Sequence, residues 1–126
     1  MATFQINKRV VTPNQTIDLA QTYTGSLGIT LDETATQSTT TEFGITLDVS
    51  AVKAFIVTSD KAVTLKTNSS GSPDDTLALL ANKPYEWNTD SYDTFKFGTD
   101  ITSLFVTVAG AVAARIQLEA IVDATP

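Results

Sequence analysis

The amino-acid sequence predicts an all-β protein of one domain, an antiparallel β-sandwich with an extended N-terminal segment. Three observations predict this fold. The 126 residues suffice for one packed core but not for two. The chain contains 22 threonines beside many Val, Ile and Phe, and such β-branched and aromatic side chains favour sheets over helices. Its composition, 42% hydrophobic and 17% charged, predicts a packed core rather than a disordered chain.

Several segments alternate apolar and polar residues with the period of two that a β-strand imposes. They begin, in chain order, at Phe4, Ile29, Ile45, Val52, Ala62, Ser103 and Ala114. In the last segment, alternate residues from Ile116 to Val122 are apolar, and those between them, from Arg115 to Glu119, are polar. This pattern predicts a sheet with one face buried and the other in water.

The sequence GITLD occurs twice, at residues 28–32 and 44–48. In each copy Ile and Leu lie two residues apart, so both side chains project to the same face of a strand. The glycine that opens each copy favours a bulge or a close backbone contact. Residues 33–43, ETATQSTTTEF, are predicted to be a polar loop between two neighbouring strands. A duplicated ligand site is the alternative, but Asp32 and Asp48 lack further acidic residues at metal-loop spacing.

Turn-forming residues separate the strands. Ser59 to Lys61 predict a hairpin, Asn68 to Asp75 a polar loop, and Asn82 to Pro84 a tight connection, and the chain turns again at Gly110. Short strands at this spacing predict a sandwich or a jelly roll of about eight strands. A helix from Ser72 is an open alternative, because SPDDTLALLANK has an N-cap serine, a following proline and two early aspartates.

The charge distribution argues against nucleic acids and membranes as partners. Eight basic residues against fourteen acidic ones give a net charge of -6, and the basic residues are scattered along the chain. Phosphate binding needs a concentrated basic face. No apolar run approaches the ~20 residues that cross a bilayer, and MATFQINKRV lacks the pattern of a signal peptide. We therefore expect a protein that folds in the cytoplasm in which it is made.

The chain contains no cysteine and no histidine, which excludes thiol nucleophiles, disulfides, Cys/His zinc sites, histidine bases and Ser-His-Asp triads. We expect no enzyme activity, no cofactor and no metal. The best oxygen cluster for a hard cation lies in one loop and consists of Asn68, Ser70, Asp74 and Asp75. Its spacing matches no calcium loop and is typical of a solvated turn.

Aromatic residues and carboxylates concentrate between Lys83 and Phe97. Aromatic platforms bind sugars, and two carboxylates ~5 to 9 Å apart can hydrolyse glycosidic bonds. The aromatic residues also alternate with Glu86 and with Lys96, which predicts inward faces of strands, in the core or in a subunit interface. Both interpretations stay open for Tyr85, Trp87, Tyr92, Phe95 and Phe97.

Two segments, from Ala54 to Asp90 and from Ile101 to the end, resemble small virion structural proteins of tailed bacteriophages, including capsid decoration or cement proteins. The features are a strand followed by SD and VTLKTNSS, a PDDT turn, the apolar segment LALLANKPYEW, the strand DITSLFVTVAG and a last strand that closes with DATP. The resemblance falls within residues 54–126.

The resemblance implies a non-enzymatic protein that binds the major capsid protein on the capsid surface of the virion, after assembly in the host cytoplasm. It also implies a homo-oligomer, with a trimer favoured. No catalytic residue or cofactor carries over. In this class, segments outside the sandwich form arms that reach neighbouring capsid subunits.

We therefore predict an N-terminal arm or first strand in residues 1–25 and the sandwich in residues 26–126. Partner contacts are expected from unpaired strand edges and from apolar or aromatic side chains. The predicted interface residues are Phe4, Ile6, Val10, Tyr85, Trp87 and Tyr92. The alternatives are a carbohydrate-binding module that uses Tyr85, Trp87 and Tyr92, and a tail or baseplate component.

Overall fold

A computed structural model describes residues 2–123. Residues 124–126, which end the DATP segment of the resemblance, lie outside the described residues. Within residues 2–123 the regular structure is ten β-strands and one short 3-10 helix, and none of it is a helix capable of spanning a membrane. The strands are β1 (Ala2–Val11), β2 (Thr16–Gly25), β3 (Leu27–Ala35), β4 (Thr39–Leu47), β5 (Val52–Ser59), β6 (Val63–Thr67), β7 (Thr76–Leu79), β8 (Tyr85–Asn88), β9 (Ile101–Val108) and β10 (Ala114–Val122).

Eight strands form two four-stranded antiparallel sheets around one shared core. The first sheet has the order β3-β10-β5-β8, and the second has the order β4-β9-β6-β7. Phe55 and Ile116 of the first sheet and Leu65 and Val106 of the second belong to the same buried cluster. The prediction of an all-β chain with antiparallel sheets is confirmed, and the arrangement is sandwich-like.

The alternation predicted for the last strand is confirmed in β10. Ile116, Leu118 and Ala120 are buried, and the polar residues between them are exposed. Ile121 breaks the alternation because it is buried on the outer side, where the N-terminal strands cover it. The outer face of the first sheet is therefore partly covered.

The two GITLD copies lie in edge strands of different sheets. Ile29 and Leu31 pack against the core, and Ile45 and Leu47 are buried in it. The prediction that Ile and Leu of each copy project to the same face of a strand is therefore confirmed. The ladder between β4 and β9 shifts register after Gly44, as expected for a bulge.

The predicted polar loop at residues 33–43 is wrong. β3 continues through Ala35, and β4 already begins at Thr39, because the threonines of this segment are good strand formers. The turn itself is only residues 36–38, where Ser38 has a φ of 57° and its amide and hydroxyl both donate to the carbonyl of Gly110. The strands on either side of this turn are not neighbours in a sheet.

The hairpin predicted at Ser59 to Lys61 is also wrong, since β5 belongs to the first sheet and β6 to the second. The Ser59 hydroxyl is buried and donates to the Lys61 carbonyl at 2.6 Å, which bends the chain from one sheet to the other. Among the eight strands of the two sheets, β6 and β7 follow each other in the chain and also pair with each other, and the polar loop at Asn68 to Asp75 connects them.

The helical alternative from Ser72 is wrong, because residues 72–75 are irregular and β7 follows. Contacts with distant residues hold Asp75 in this conformation. Its amide donates to the Thr67 hydroxyl at 2.9 Å, and its carboxylate accepts from the Gly98 amide at 3.1 Å. These two partners hold the segment in a nonhelical path.

Phe95 and Phe97 do not lie on a strand, contrary to the alternation around Lys96. They nevertheless pack inward, and Phe97 is buried. The Phe95 ring lies 5.1 Å from that of Phe55 in an edge-to-face contact, so aromatic packing orders this segment without ladder hydrogen bonds.

Residues 2–25, predicted as an arm or a first strand, form two antiparallel strands. β1 and β2 make a separate two-stranded sheet with continuous register from Ala2↔Gly25 to Val11↔Thr16. Part of this hairpin packs on the outer face of the first sheet through Ile6, Tyr23 and Ala54.

Candidate interaction surface

The β1-β2 hairpin has one apolar and one polar face. Because side chains alternate along each strand, the register Phe4↔Tyr23 and Val10↔Ile17 places even-numbered β1 residues and odd-numbered β2 residues on the same side. We call this side the apolar face; its large apolar residues are Phe4, Ile6, Val10, Ile17, Leu19 and Tyr23. Lys8 and Gln21 are the polar residues on this face. The opposite side carries mainly polar residues, namely Thr3, Gln5, Asn7, Arg9, Thr16, Asp18, Thr22 and Thr24, together with Val11 and Ala20.

The half of the hairpin near Gly25 is anchored on the first sheet. Ile6 and Tyr23 are buried there against Ala54, and Phe4 packs beside them. A Cβ atom on Gly25 would lie 2.4 Å from the carbonyl oxygen of Val122, far inside van der Waals contact. Glycine at this position therefore allows the hairpin backbone to lie directly against the end of β10.

Two polar contacts fix the direction in which the hairpin leaves the sheet. Lys8 forms an ion pair with Glu86 of β8. The Tyr23 hydroxyl lies 3.1 Å from a carboxylate oxygen of Asp90 and 3.2 Å from the side-chain oxygen of Gln21. Burial, and then the Asp90 carboxylate, raise the pKa of Tyr23 above its usual value, so the hydroxyl stays a hydrogen-bond donor at neutral pH.

The half of the hairpin near the turn continues the same apolar face beyond these contacts. We call Val10, Ile17 and Leu19 the overhang; their exposed fractions are 52%, 41% and 58%. The turn is closed by a 2.8 Å bond from the Thr12 amide to the Gln15 carbonyl. The overhang is thus apolar surface held on a closed strand ladder and open to solvent.

A groove of about 420 Å³ separates the hairpin from the segment that follows β8. Lys8, Leu19 and Gln21 form one wall, and Tyr92 lies on the other, where its side chain is fully exposed. The carboxylates of Glu86, Asp90 and Asp93 line the same side as Tyr92. The overhang therefore has an acidic border.

The structure divides the six predicted interface residues into two groups. Val10 and Tyr92 are exposed and lie on or beside the overhang. Ile6 is buried between the hairpin and the first sheet, and half-buried Phe4 packs beside it, so both residues help to hold the hairpin in place.

Tyr85 and Trp87 also make internal contacts. The Trp87 indole donates to the Asp93 carbonyl at 2.8 Å, and its ring lies 5.0 Å from that of Phe95. The Tyr85 ring is stacked on Phe95, and its hydroxyl accepts from the Lys96 amide at 3.0 Å; burial raises its pKa. Both rings are half-buried, and each has Phe95 as a packing partner.

The oxygen cluster of the Asn68 loop is occupied by internal hydrogen bonds. Asn68 has a φ of 67°, its amide nitrogen donates to Asp74 at 2.7 Å, and its amide oxygen accepts from the backbone of Thr102. Lys66 reaches the carbonyl of Ser70. Among residues 2–123, no three acidic side chains converge as metal ligands would. The loop ties β6 to the start of β9.

Two residues of the overhang, Ile17 and Leu19, were missed by the sequence prediction. A signal was present in the sequence. In TIDLAQTYTG, Leu19 lies two residues after Ile17 and Tyr23 lies four residues after Leu19, so all three project to the same face of a strand, and a turn signal at Pro13 and Asn14 precedes them. The prediction assigned a strand only to the segment before that turn.

Comparisons of this chain with protein-family models, with curated proteins and with solved structures give no match. The function is therefore argued from the fold and from the chemistry of the hairpin.

Proposed function

We propose that this chain is a non-enzymatic virion structural protein that decorates or cements a bacteriophage capsid on its surface, with the major capsid protein as its partner. The observation that carries the proposal is the overhang. Half-exposed Val10, Ile17 and Leu19 share one face of an ordered hairpin, and contiguous exposed apolar surface of this kind marks protein interaction sites. The resemblance of residues 54–126 to phage virion proteins supplies the class of particle.

We further propose that the eight strands of the two sheets form a jelly roll, an architecture used by viral capsid domains. The nested pairing supports this: β3 pairs with β10, β4 with β9, β5 with β8, and β6 with β7. Each later pair lies inside the one before it along the chain, as in a long hairpin folded over into two sheets.

The proposed attachment uses the overhang together with open strand edges. β3, β4, β7 and β8 each lie at the edge of a sheet, and an open edge can accept a strand from a partner. A homo-oligomer of this chain, as proposed from the resemblance, would present several such surfaces to a repeating shell, so that contacts that are individually weak add through multivalency.

The carbohydrate-binding alternative has little support from the aromatic residues. Tyr85 and Trp87 are half-buried and pack against Phe95, and Tyr92 is the fully exposed member of the predicted set. A tail or baseplate component shares the same chemistry as a decoration protein and differs in copy number.

Quantitative mass spectrometry of purified phage particles tests the proposal. We expect hundreds of copies per particle, the number that a capsid surface requires. A handful of copies would instead indicate the tail or baseplate, and the absence of the chain from purified particles would refute a virion role.

A further inference from the structure

The groove between the hairpin and the segment that follows β8 has an uncompensated negative charge. We call it the border groove; its charged lining residues are Lys8, Glu86, Asp90 and Asp93. One lysine against three carboxylates leaves a formal charge of -2. Lys8 is already paired with Glu86, so the charge that remains belongs to the two aspartates.

Neither Asp90 nor Asp93 belongs to an ion pair among residues 2–123. Asp90 accepts a hydrogen bond from the neutral hydroxyl of Tyr23. Asp93 contributes to the fold through its backbone carbonyl, which accepts from the Trp87 indole. Both aspartates are exposed, so their carboxylates can bind a cation that another chain supplies.

An apolar and an aromatic side chain lie on opposite walls of the border groove, beside these carboxylates. Leu19 is 58% exposed on the hairpin wall, and Tyr92 is fully exposed on the other. An arginine fits this combination, because its planar guanidinium donates to carboxylates and stacks on aromatic rings. Its alkyl stem packs on apolar surface.

The size and geometry of the groove favour a side chain over a metal ion. Its volume of about 420 Å³ lies within the ~300–1,000 Å³ of ordinary ligand sites, which leaves room for one long side chain. A hard cation needs several converging oxygen ligands, and no three acidic side chains converge in the described part of the chain.

We infer that the partner segment that covers the overhang inserts an arginine into the border groove. The inference rests on the attachment proposed above and states the chemistry of the partner's side of that contact, an arginine with apolar residues next to it. Asp90 and Asp93 bind the guanidinium, and Tyr92 stacks on it. The apolar neighbours of the arginine pack on the overhang.

The charge of the whole chain supports a basic partner. At a net charge of -6, the chain attracts a basic surface and repels a second acidic one. The contact at the groove is exposed, so salt should weaken it by screening. Salt does not screen the burial of apolar side chains on the overhang, which separates the two parts of the contact.

Charge variants of the full chain test the inference by cosedimentation with purified capsids that lack this protein. At ~0.05 M salt, Asp93→Asn should weaken binding about fivefold, because it removes one carboxylate from the groove. Asp93→Lys should weaken it at least about tenfold, because it repels the arginine. Both losses should shrink at ~0.5 M salt.

Glu119→Gln and Glu119→Lys are the matched controls. Glu119 is an exposed carboxylate on the inner strand β10, outside the overhang, the border groove and the sheet edges. These variants make the same changes in net charge and should bind capsids like the wild type. Circular dichroism checks the fold of each variant.

Two short peptides test the groove without a capsid. The probes are acetyl-Val-Arg-Leu-amide and acetyl-Val-Gln-Leu-amide, which differ in the guanidinium. In NMR titrations the arginine peptide should give saturable shifts at the amides of Tyr92 and Asp93, with a dissociation constant on the order of 1 mM. The glutamine peptide should bind at least about fivefold more weakly, and Asp93→Asn should remove most of this preference.

Capsid binding by Asp93→Lys at the level of the wild type would overturn the inference and leave the proposed function standing. An equal loss in Glu119→Lys would also overturn it, since it would indicate a general effect of net charge. Equal binding of the two peptides would overturn it as well. If the wild type does not bind capsids but the groove selects the arginine peptide, the proposed function fails and the preference of the groove for arginine stands.

Discussion

The two halves of the β1-β2 hairpin share one ladder and one apolar face, yet only one half is covered. Near Gly25, Ile6 and Tyr23 are buried against the first sheet. Near the turn, Val10 and Ile17 project from the same face and remain about half exposed. The difference comes from what lies beneath each half and not from the type of residue.

The apolar residues of the hairpin therefore have two roles: those of the anchored half stabilise the fold, and those of the overhang are available to another chain. Burying a large apolar side chain contributes about 1.5 to 3 kcal/mol, and the anchored half gains this within its own chain. A free two-stranded ladder is marginally stable in water, so the overhang depends on its continuity with the anchored half. Its apolar residues gain comparable burial only when another chain covers them.

The largest expected effect comes from removing the close approach at Gly25. Gly25→Ala introduces a Cβ 2.4 Å from the Val122 carbonyl oxygen, which forces the hairpin away from β10. We expect a loss of about 2 to 3 kcal/mol in the free energy of unfolding, measured by urea denaturation. Gly44→Ala is the control, because a Cβ there meets no atom within 4 Å. Equal losses in both variants would mean that the hairpin is not anchored at Gly25.

The comparison between the two halves is tested by one pair of substitutions on β1. Ile6→Ala should lower the free energy of unfolding by about 2 kcal/mol, because Ile6 is buried. Val10→Ala should change it by less than about 0.5 kcal/mol, since Val10 is exposed. Calorimetric or urea unfolding measures both. A cost at Val10 as large as that at Ile6 would show that the overhang is packed within its own chain.

The ion pair at the junction of the two halves should have a smaller effect. Glu86→Gln removes the partner of Lys8, whose side chain is 54% exposed, and should cost less than about 1 kcal/mol. The cost should shrink in ~1 M salt, where the charges are screened. Urea midpoints at low and high salt measure it, with exposed Glu33→Gln as the control. A cost that is unchanged by salt would exclude an electrostatic role for this pair.

The smallest effect should be a pH dependence of the anchored half. The folded pKa of Tyr23 is raised, so its neutral hydroxyl stabilises the folded state below about pH 10, and this contribution is lost as the pH rises through the folded value. Wild type should lose stability relative to Tyr23→Phe above about pH 10. A difference between the two proteins that is constant from pH 8 to pH 11 would contradict this assignment.

The sequence predicted local strand structure better than strand partners. Alternation identified β10 and the shared facing of Ile29 with Leu31, because the period of two is a local property. The turn at Ser59 to Lys61 does not reveal whether the chain stays in one sheet or crosses to the other. That choice depends on which remote strand is paired, as does the rejection of a helix at Asp75, which is held by Thr67 and Gly98.

The candidate surface was predictable only in part. Phe4, Ile6 and Val10 alternate identically in the sequence, so their pattern cannot distinguish a residue that packs on β5 from one that extends past the sheet. Tyr85, Trp87 and Tyr92 look equally suited to a partner until Phe95 is known to cover two of them. Exposure at each position is decided by distant elements.

Cosedimentation with purified capsids that lack this protein tests the central claim most directly, namely that the overhang is the surface by which the chain joins a particle. The wild type and the control Val11→Asp, at a residue that is 69% exposed on the opposite face of the same hairpin, should sediment with the capsids. Folded Leu19→Asp should stay in the supernatant. Capsid binding by Leu19→Asp at the level of the wild type would contradict the account.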